Sequence, residues 1–179
     1  MRKTVRKWFW IWDFDKEERW LNEMAAKGLA LTSVGWCRYD FEDSLPGEYR
    51  VALEMPEAMP GTAEGQKYIE FVESTGAEHV GTFTRWVYFR KKAAEGGFEM
   101  FSDNASKVKH LTRIMRFILF IGCLNLYTGC YNMFLLFSCG NEPHAFGIIN
   151  LLIGVFAIFG WLRLNRKRKK LKAEQILFE

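Results

Sequence analysis

The side chains best suited to chemistry in this sequence are aromatic rather than nucleophilic. Trp8, Trp10, Trp12, Trp36, Trp86 and Tyr88 stand in segments rich in β-branched and aromatic residues, several at alternate positions. Gathered on one sheet face, they would make an apolar surface that stacks on a ligand or buries against another protein. Arg38, Arg50 and Glu54 are the polar residues placed to converge among them if that surface is a pocket.

Conventional catalytic and metal-binding groups are sparse. The histidines fall at 79, 110 and 144, and Cys37, Cys123, Cys130 and Cys139 show no metal-ligand spacing. Cys123 and Cys130 read as small packing residues within an apolar stretch, and Cys139 is placed for an intermolecular disulfide. Asp13, Asp15, Glu17 and Glu18 form the one carboxylate cluster. Asp15 as helix cap, with Glu18 reaching back to it, and the favourable helix dipole account for that cluster. No cofactor, metal or catalytic residue is expected, and the chain reads as non-enzymatic.

The elements that position these residues include two long uncharged stretches, 117–141 and 145–162. Roughly 20 apolar helical residues cross a bilayer core of about 30 Å, so a transmembrane hairpin is expected, with spans near 115–137 and 145–163. The formal charge of +4 divides unevenly: residues 1–105 carry 14 Lys/Arg against 18 Asp/Glu, and residues 106–179 carry 11 against 3. Lys107, Lys109, Arg113 and Arg116 precede the first span, and Arg163 with the run Arg166–Lys170 follows the second. The loop between the spans has no Lys or Arg, which predicts both termini on the cytoplasmic side of a plasma membrane. Lys7 and Asp13 interrupt any apolar run near the start, so no signal peptide is expected.

Ahead of the spans lies an internal repeat. Trp20–Gly28 aligns with Tyr68–Gly76, 48 positions later, each a helix stopped by glycine and followed by an aromatic-rich segment, 29–41 and 77–90. Arg2–Trp12 and Glu48–Met55 read as the strands preceding the helices, and Asp43–Gly47 as a turn. The order predicts an α+β, ferredoxin-like βαββαβ domain: one four-stranded antiparallel sheet with both helices on one face. The aromatic set would then occupy the open face. RNA-recognition domains share this topology, but here the third strand would offer Arg50, Ala52 and Glu54 in a net acidic domain, so nucleic acid is not an expected partner.

The block from Trp12 through Asp13, Asp15 and Glu17-Glu18-Arg19-Trp20-Leu21-Asn22-Glu23-Met24-Ala25 to Gly28 carries a family resemblance, together with Gly76, Tyr88-Phe89-Arg90-Lys91 and Phe101–Lys107 ahead of two spans. It resembles an uncharacterised bacterial membrane family, domain of unknown function 2812, over nearly the whole chain. Ala77 stands where that family often has Trp. Its members are often encoded beside PadR-like transcriptional regulators, so the resemblance implies a regulatory or envelope-response setting. It implies no catalytic residue.

The expected organisation is a cytoplasmic domain at 1–94, a juxtamembrane segment at 95–113, the hairpin at 114–164 and a basic cytoplasmic tail at 165–179. Gly122, Gly129, Gly147 and Gly154 let the hairpin helices approach, and Asn125, Asn132 and Asn150 are placed to hydrogen-bond between them. The expected function is a membrane-anchored interaction or sensing module working through the aromatic face. The alternative is a small-molecule binder or enzyme using that face as a pocket. The bilayer, a second copy joined through the sheet face or the spans, and a protein partner are the expected associations.

Overall fold

A computed structural model describes residues 2–98, 100–101, 103–139 and 145–176. They fall into two compact units, Met1–Ser102 and Asp103–Glu179.

The first unit repeats one plan. Its first copy comprises β1 (Arg2–Arg6), α1 (Phe14–Ala26), β2 (Leu29–Gly35) and β3 (Arg38–Asp43). The second comprises β4 (Tyr49–Glu54), α2 (Ala63–Ser74), β5 (Glu78–Phe83) and β6 (Trp86–Lys92). Each copy builds its own antiparallel sheet with its last strand central, in the orders β1-β3-β2 and β4-β6-β5. β2 and β5 run beside each other, and each carries a bulge at the matching position, between Leu31 and Ser33 and between His79 and Gly81. The repeat is therefore present, but the four-stranded ferredoxin-like sheet is not.

The reason lies in two turns. The segments expected to be single strands, 29–41 and 77–90, each fold into a hairpin, at Trp36-Cys37 and at Thr84-Arg85. Cys37 and Thr84 adopt left-handed backbone conformations, with φ of 51° and 54°. That conformation is uncommon outside glycine and asparagine, so neither turn announces itself in the sequence. Folding back gives each copy a third strand and a complete small sheet of its own.

Helix α1 is enclosed between the two sheets. Leu21 and Ala25 are buried, and Trp20 packs edge-on against Tyr39 and Phe41 of the first sheet, with centroids 5.0 and 6.0 Å apart. On the other side Phe14 stacks on Trp86 of the second sheet at 5.5 Å. Gly28 ends α1 and Gly76 follows α2, both with positive φ (81° and 88°), as the repeat predicts. The helix start differs from expectation. Asp13, not Asp15, precedes the first turn, and Glu18 reaches across to β4 to accept the Leu53 backbone N–H at 3.2 Å.

Helix α2 covers the opposite face of the second sheet, where Ile69 and Val72 pack with Ala77, Val87 and Phe89. Thr62 opens this helix, its hydroxyl accepting the Gly65 N–H at 3.2 Å. Gly65 is required there because a Cβ would overlap the Met59 carbonyl oxygen. Each fully buried aliphatic or aromatic side chain in these layers is worth roughly 1.5–3 kcal/mol.

The second unit is a helical hairpin of α3 (Asn104–Cys139) and α4 (Ala145–Ile176). Both helices are long and apolar enough to cross a membrane, and less than a quarter of either apolar window is buried. The helices are antiparallel with glycines along the seam: a Cβ on Gly122 would lie 3.0 Å from the Ala157 Cβ, and one on Gly147 would lie 3.0 Å from the Asn132 Cβ. Asn125 and Asn132 use their amides within α3. Asn125 donates to Ile121 O at 2.8 Å and Asn132 to Thr128 O at 2.8 Å. α3 is continuous from Asn104, so the second half of the expected 95–113 segment is an unbroken extension of the first span. Residues 140–144 between the two helices, including His144, and the side chain of Cys139 lie outside the described residues.

Candidate functional site

The expected aromatic face divides into an exposed part and a buried part. β1 ends at Arg6, so the alternation that continues through Trp8, Trp10 and Trp12 is not strand alternation. Residues 7–10 are extended chain leading into a short 3-10 turn at Ile11–Asp13. The Lys7 N–H donates to the Cys37 carbonyl at 3.0 Å, which places Trp8 against the first hairpin turn.

At that turn three tryptophans form one cluster. Trp8 meets Trp10 and Trp36 edge-to-face, with centroids 5.2 and 5.8 Å apart. Trp36 also meets Phe83, at the end of β5, at 5.8 Å. The two hairpin tips thus converge at one end of the unit. Trp36 is 72% exposed, Trp8 51% and Trp10 43%, so most of this apolar area faces solvent. Phe83 was missed from sequence because it reads as part of a strand interior rather than a hairpin tip.

Trp12, Trp86 and Tyr88 are buried instead. Trp12 tucks under Trp10, the two rings stacked at 5.5 Å. Trp86 and Tyr88 do share one sheet face, opposite Val87 and Phe89, but α1 covers it. A sheet flanked by helices on both faces has no open side.

The polar residues expected to converge among the tryptophans do not. Glu54 pairs with Val87 and Arg50 with Lys91 across β4 and β6. That register puts both on the opposite face from Trp86 and Tyr88, one residue out from the expected alternation. Glu54 is buried and accepts the Tyr68 hydroxyl, and Arg50 is exposed. Arg38 is bound to Asp40, Nε to Oδ1 at 3.1 Å and the second nitrogen to Oδ2 at 3.0 Å. The Thr4 hydroxyl, donating at 2.6 Å, and Arg38 hold the Asp40 carboxyl below the ordinary carboxylate range.

A second constellation lies inside the unit. The Tyr39 and Tyr88 hydroxyls, one from each sheet, both donate to Oε1 of Glu17 at 2.7 Å. Burial raises the Glu17 carboxyl above its ordinary value, and the two hydroxyl hydrogen bonds partly offset this. Burial, and then the charge of Glu17, push both phenols upward, so they remain donors. From sequence Glu17 is simply one of a capping cluster. Its position on the same helical stripe as Leu21 and Met24 is the available signal of burial. The hub joins the two repeats and serves as a structural bridge.

Arg90 makes a comparable bridge near the surface. It donates to Leu31 O at 2.9 Å, Glu42 at 3.0 Å and Glu78 at 2.7 Å, linking β6 to β2, β3 and β5. Among the described residues no group of three or more His, Cys, Asp or Glu side chains is arranged to hold a metal ion.

No curated protein and no solved structure matches this chain. Residues 13–123, more than half of the chain, match the family described as protein of unknown function (DUF2812), and the chain belongs to that family.

Proposed function

We propose that this protein is a membrane-anchored, non-enzymatic interaction or sensing module whose working surface is the exposed cluster of Trp8, Trp10, Trp36 and Phe83. The observation that carries the reading is the exposure of three indoles, Trp10 and Trp36 each packed on Trp8, at converging hairpin tips. Indoles left wet forfeit much of the stabilisation their burial would give, and contiguous apolar patches are characteristic of binding surfaces. Aromatic residues are also the side chains that most often dominate binding energy. The dispersal of Arg38, Arg50 and Glu54 to other partners and faces favours a contact surface over a polar-lined pocket.

The helical hairpin is the anchor. Its outward residues, among them Phe120, Leu124, Phe134, Leu152, Val155 and Phe159, are exposed and apolar, as lipid-facing residues are. The Lys/Arg asymmetry supports a cytoplasmic location for the first unit and both termini at the plasma membrane. The regulatory or envelope-response setting implied by the family resemblance fits such a tethered module.

The test is a photoreactive residue. Trp36 is replaced by p-benzoylphenylalanine in the full chain, and Phe71, an exposed residue of α2, is replaced likewise as the control. Irradiation of native membranes should give a discrete adduct, with protein or lipid, at position 36 and not at 71. Equal, diffuse labelling at the two positions would overturn the reading.

A further inference from the structure

The tryptophan cluster is edged by positive charge. Arg6 is the register partner of Arg38 on adjacent strands, the two standing beside the first hairpin turn. Lys7 immediately precedes Trp8, with its Nζ 5.0 Å from the Phe9 ring centroid and 4.6 Å from that of Trp20. Arg85 sits in the second hairpin turn and donates to the Pro56 and Glu57 carbonyls. Asp40 offsets Arg38, whereas Arg6 stands exposed. The first twelve residues carry Arg2, Lys3, Arg6 and Lys7 and no acid, although residues 1–105 as a whole are net acidic. The chain segment that carries Trp8 and Trp10 is therefore positive in a unit whose total is negative.

We infer that this end of the first unit docks on the anionic bilayer surface in which the chain's own helices are anchored. Indoles favour the headgroup layer because the ring is apolar while its N–H still finds hydrogen-bond acceptors. Lys and Arg beside them are drawn to anionic headgroups over distances of about a Debye length. A second copy fits less well, because a self-complementary pairing through the cluster would bring Arg6 and Arg38 toward their own duplicates. Tethering strengthens the case. Only residues 93–103 separate β6 from α3, so the surface is held at high effective concentration near lipid. Docked, the tryptophans lose their contact with water.

This inference rests on the reading of the cluster as a binding surface, and the test separates the two. The full chain carrying p-benzoylphenylalanine at position 36 is purified and reconstituted, without other proteins, in phosphatidylcholine vesicles with and without about one third phosphatidylglycerol. Mass spectrometry should find a lipid adduct at position 36, enriched several-fold by phosphatidylglycerol. Arg6→Gln should reduce that yield about fivefold, as loss of one surface charge implies, and Arg6→Gln with Arg38→Gln should reduce it further. The single variant leaves the Arg38–Asp40 pair intact, so a folding defect in the double variant does not blunt the test. A dimer adduct in place of a lipid adduct, or a lipid adduct indifferent to phosphatidylglycerol and Arg6, would overturn the inference. No adduct here but a protein adduct in native membranes would overturn the inference and leave the binding-surface reading standing. No adduct in either setting would end both.

Discussion

The side chain of Asn22 takes the place of a neighbouring strand for Val51. Its Nδ2 donates to the Val51 carbonyl at 2.7 Å, and its Oδ1 accepts from the Val51 N–H at 3.0 Å. Glu18, one turn earlier on α1, accepts the Leu53 N–H. The outer edge of β4 is thereby sealed by a helix of the other repeat, which manages the hazard of an unpaired strand edge. Replacing Asn22 with Leu strands two backbone groups of a buried residue. At about 1 kcal/mol or more for each lost bond, a cost of 2–4 kcal/mol is expected. Thermal unfolding of the purified full chain should show it as a drop of several degrees, and Asn22→Gln should not restore the midpoint.

Glu17 gives the first unit a pH dependence. Its folded-state pKa is raised above the ordinary value of 4.5, so folding favours the protonated form. The stability tied to that proton is complete below pH about 4.5 and is lost as pH rises through the raised folded value. Glu17→Gln keeps an acceptor for Tyr39 and Tyr88 without the charge. The variant should gain on the native chain as pH rises from 4 to 8, measured by thermal midpoints. A difference between the two that stays constant across that range would contradict the assignment.

The repeat's helix-ending glycines should not be equal in cost. Both have positive φ, so alanine at either position is strained by about 1 kcal/mol. At Gly28 a Cβ would also sit 2.8 Å from the Ser44 carbonyl oxygen, which is backbone. At Gly76 the nearest atom is a carboxylate oxygen of the Glu95 side chain at 3.1 Å, which can swing away. Gly28→Ala is therefore expected to lower the unfolding midpoint more than Gly76→Ala. Equal effects would mean the Ser44 carbonyl yields.

Topology can be read with the native thiols. Cys37 is half-buried and belongs to the unit proposed to be cytoplasmic. Cys139, near the end of the first span, is expected at the outer surface. A membrane-impermeant maleimide on intact cells should modify Cys139 in a variant lacking the other three cysteines, and should fail to modify Cys37 in its counterpart. Labelling of Cys37 alone would invert the orientation.

Much of this fold was legible because repetition amplifies weak signals. The paired runs Trp20–Gly28 and Tyr68–Gly76 located both helices within a residue or two, and the glycines behave as read. The hairpins were not legible, since Trp36-Cys37 and Thr84-Arg85 lack the glycine or asparagine that usually marks a left-handed turn. Missing two turns merged four strands into two, and the expected sheet followed from that merger. The alternation of Trp8, Trp10 and Trp12 misled for a related reason: period two persists in extended chain that pairs with nothing. The sequence put all six aromatics on one uncovered sheet face; Trp8, Trp10 and Trp36 meet instead at the hairpin tips, and Trp86 and Tyr88 lie beneath α1, on the side expected to be open.

The central claim is that the exposed indoles are covered when the protein sits in its membrane, and hydroxyl-radical footprinting of native membranes tests it most directly. Protection factors, normalised to intrinsic reactivity, should be as high at Trp8, Trp10 and Trp36 as at the buried Trp12 and Trp86, and low at the exposed Phe71. Protection at Trp36 no greater than at Phe71 would show the cluster open to water in place, and would contradict the account.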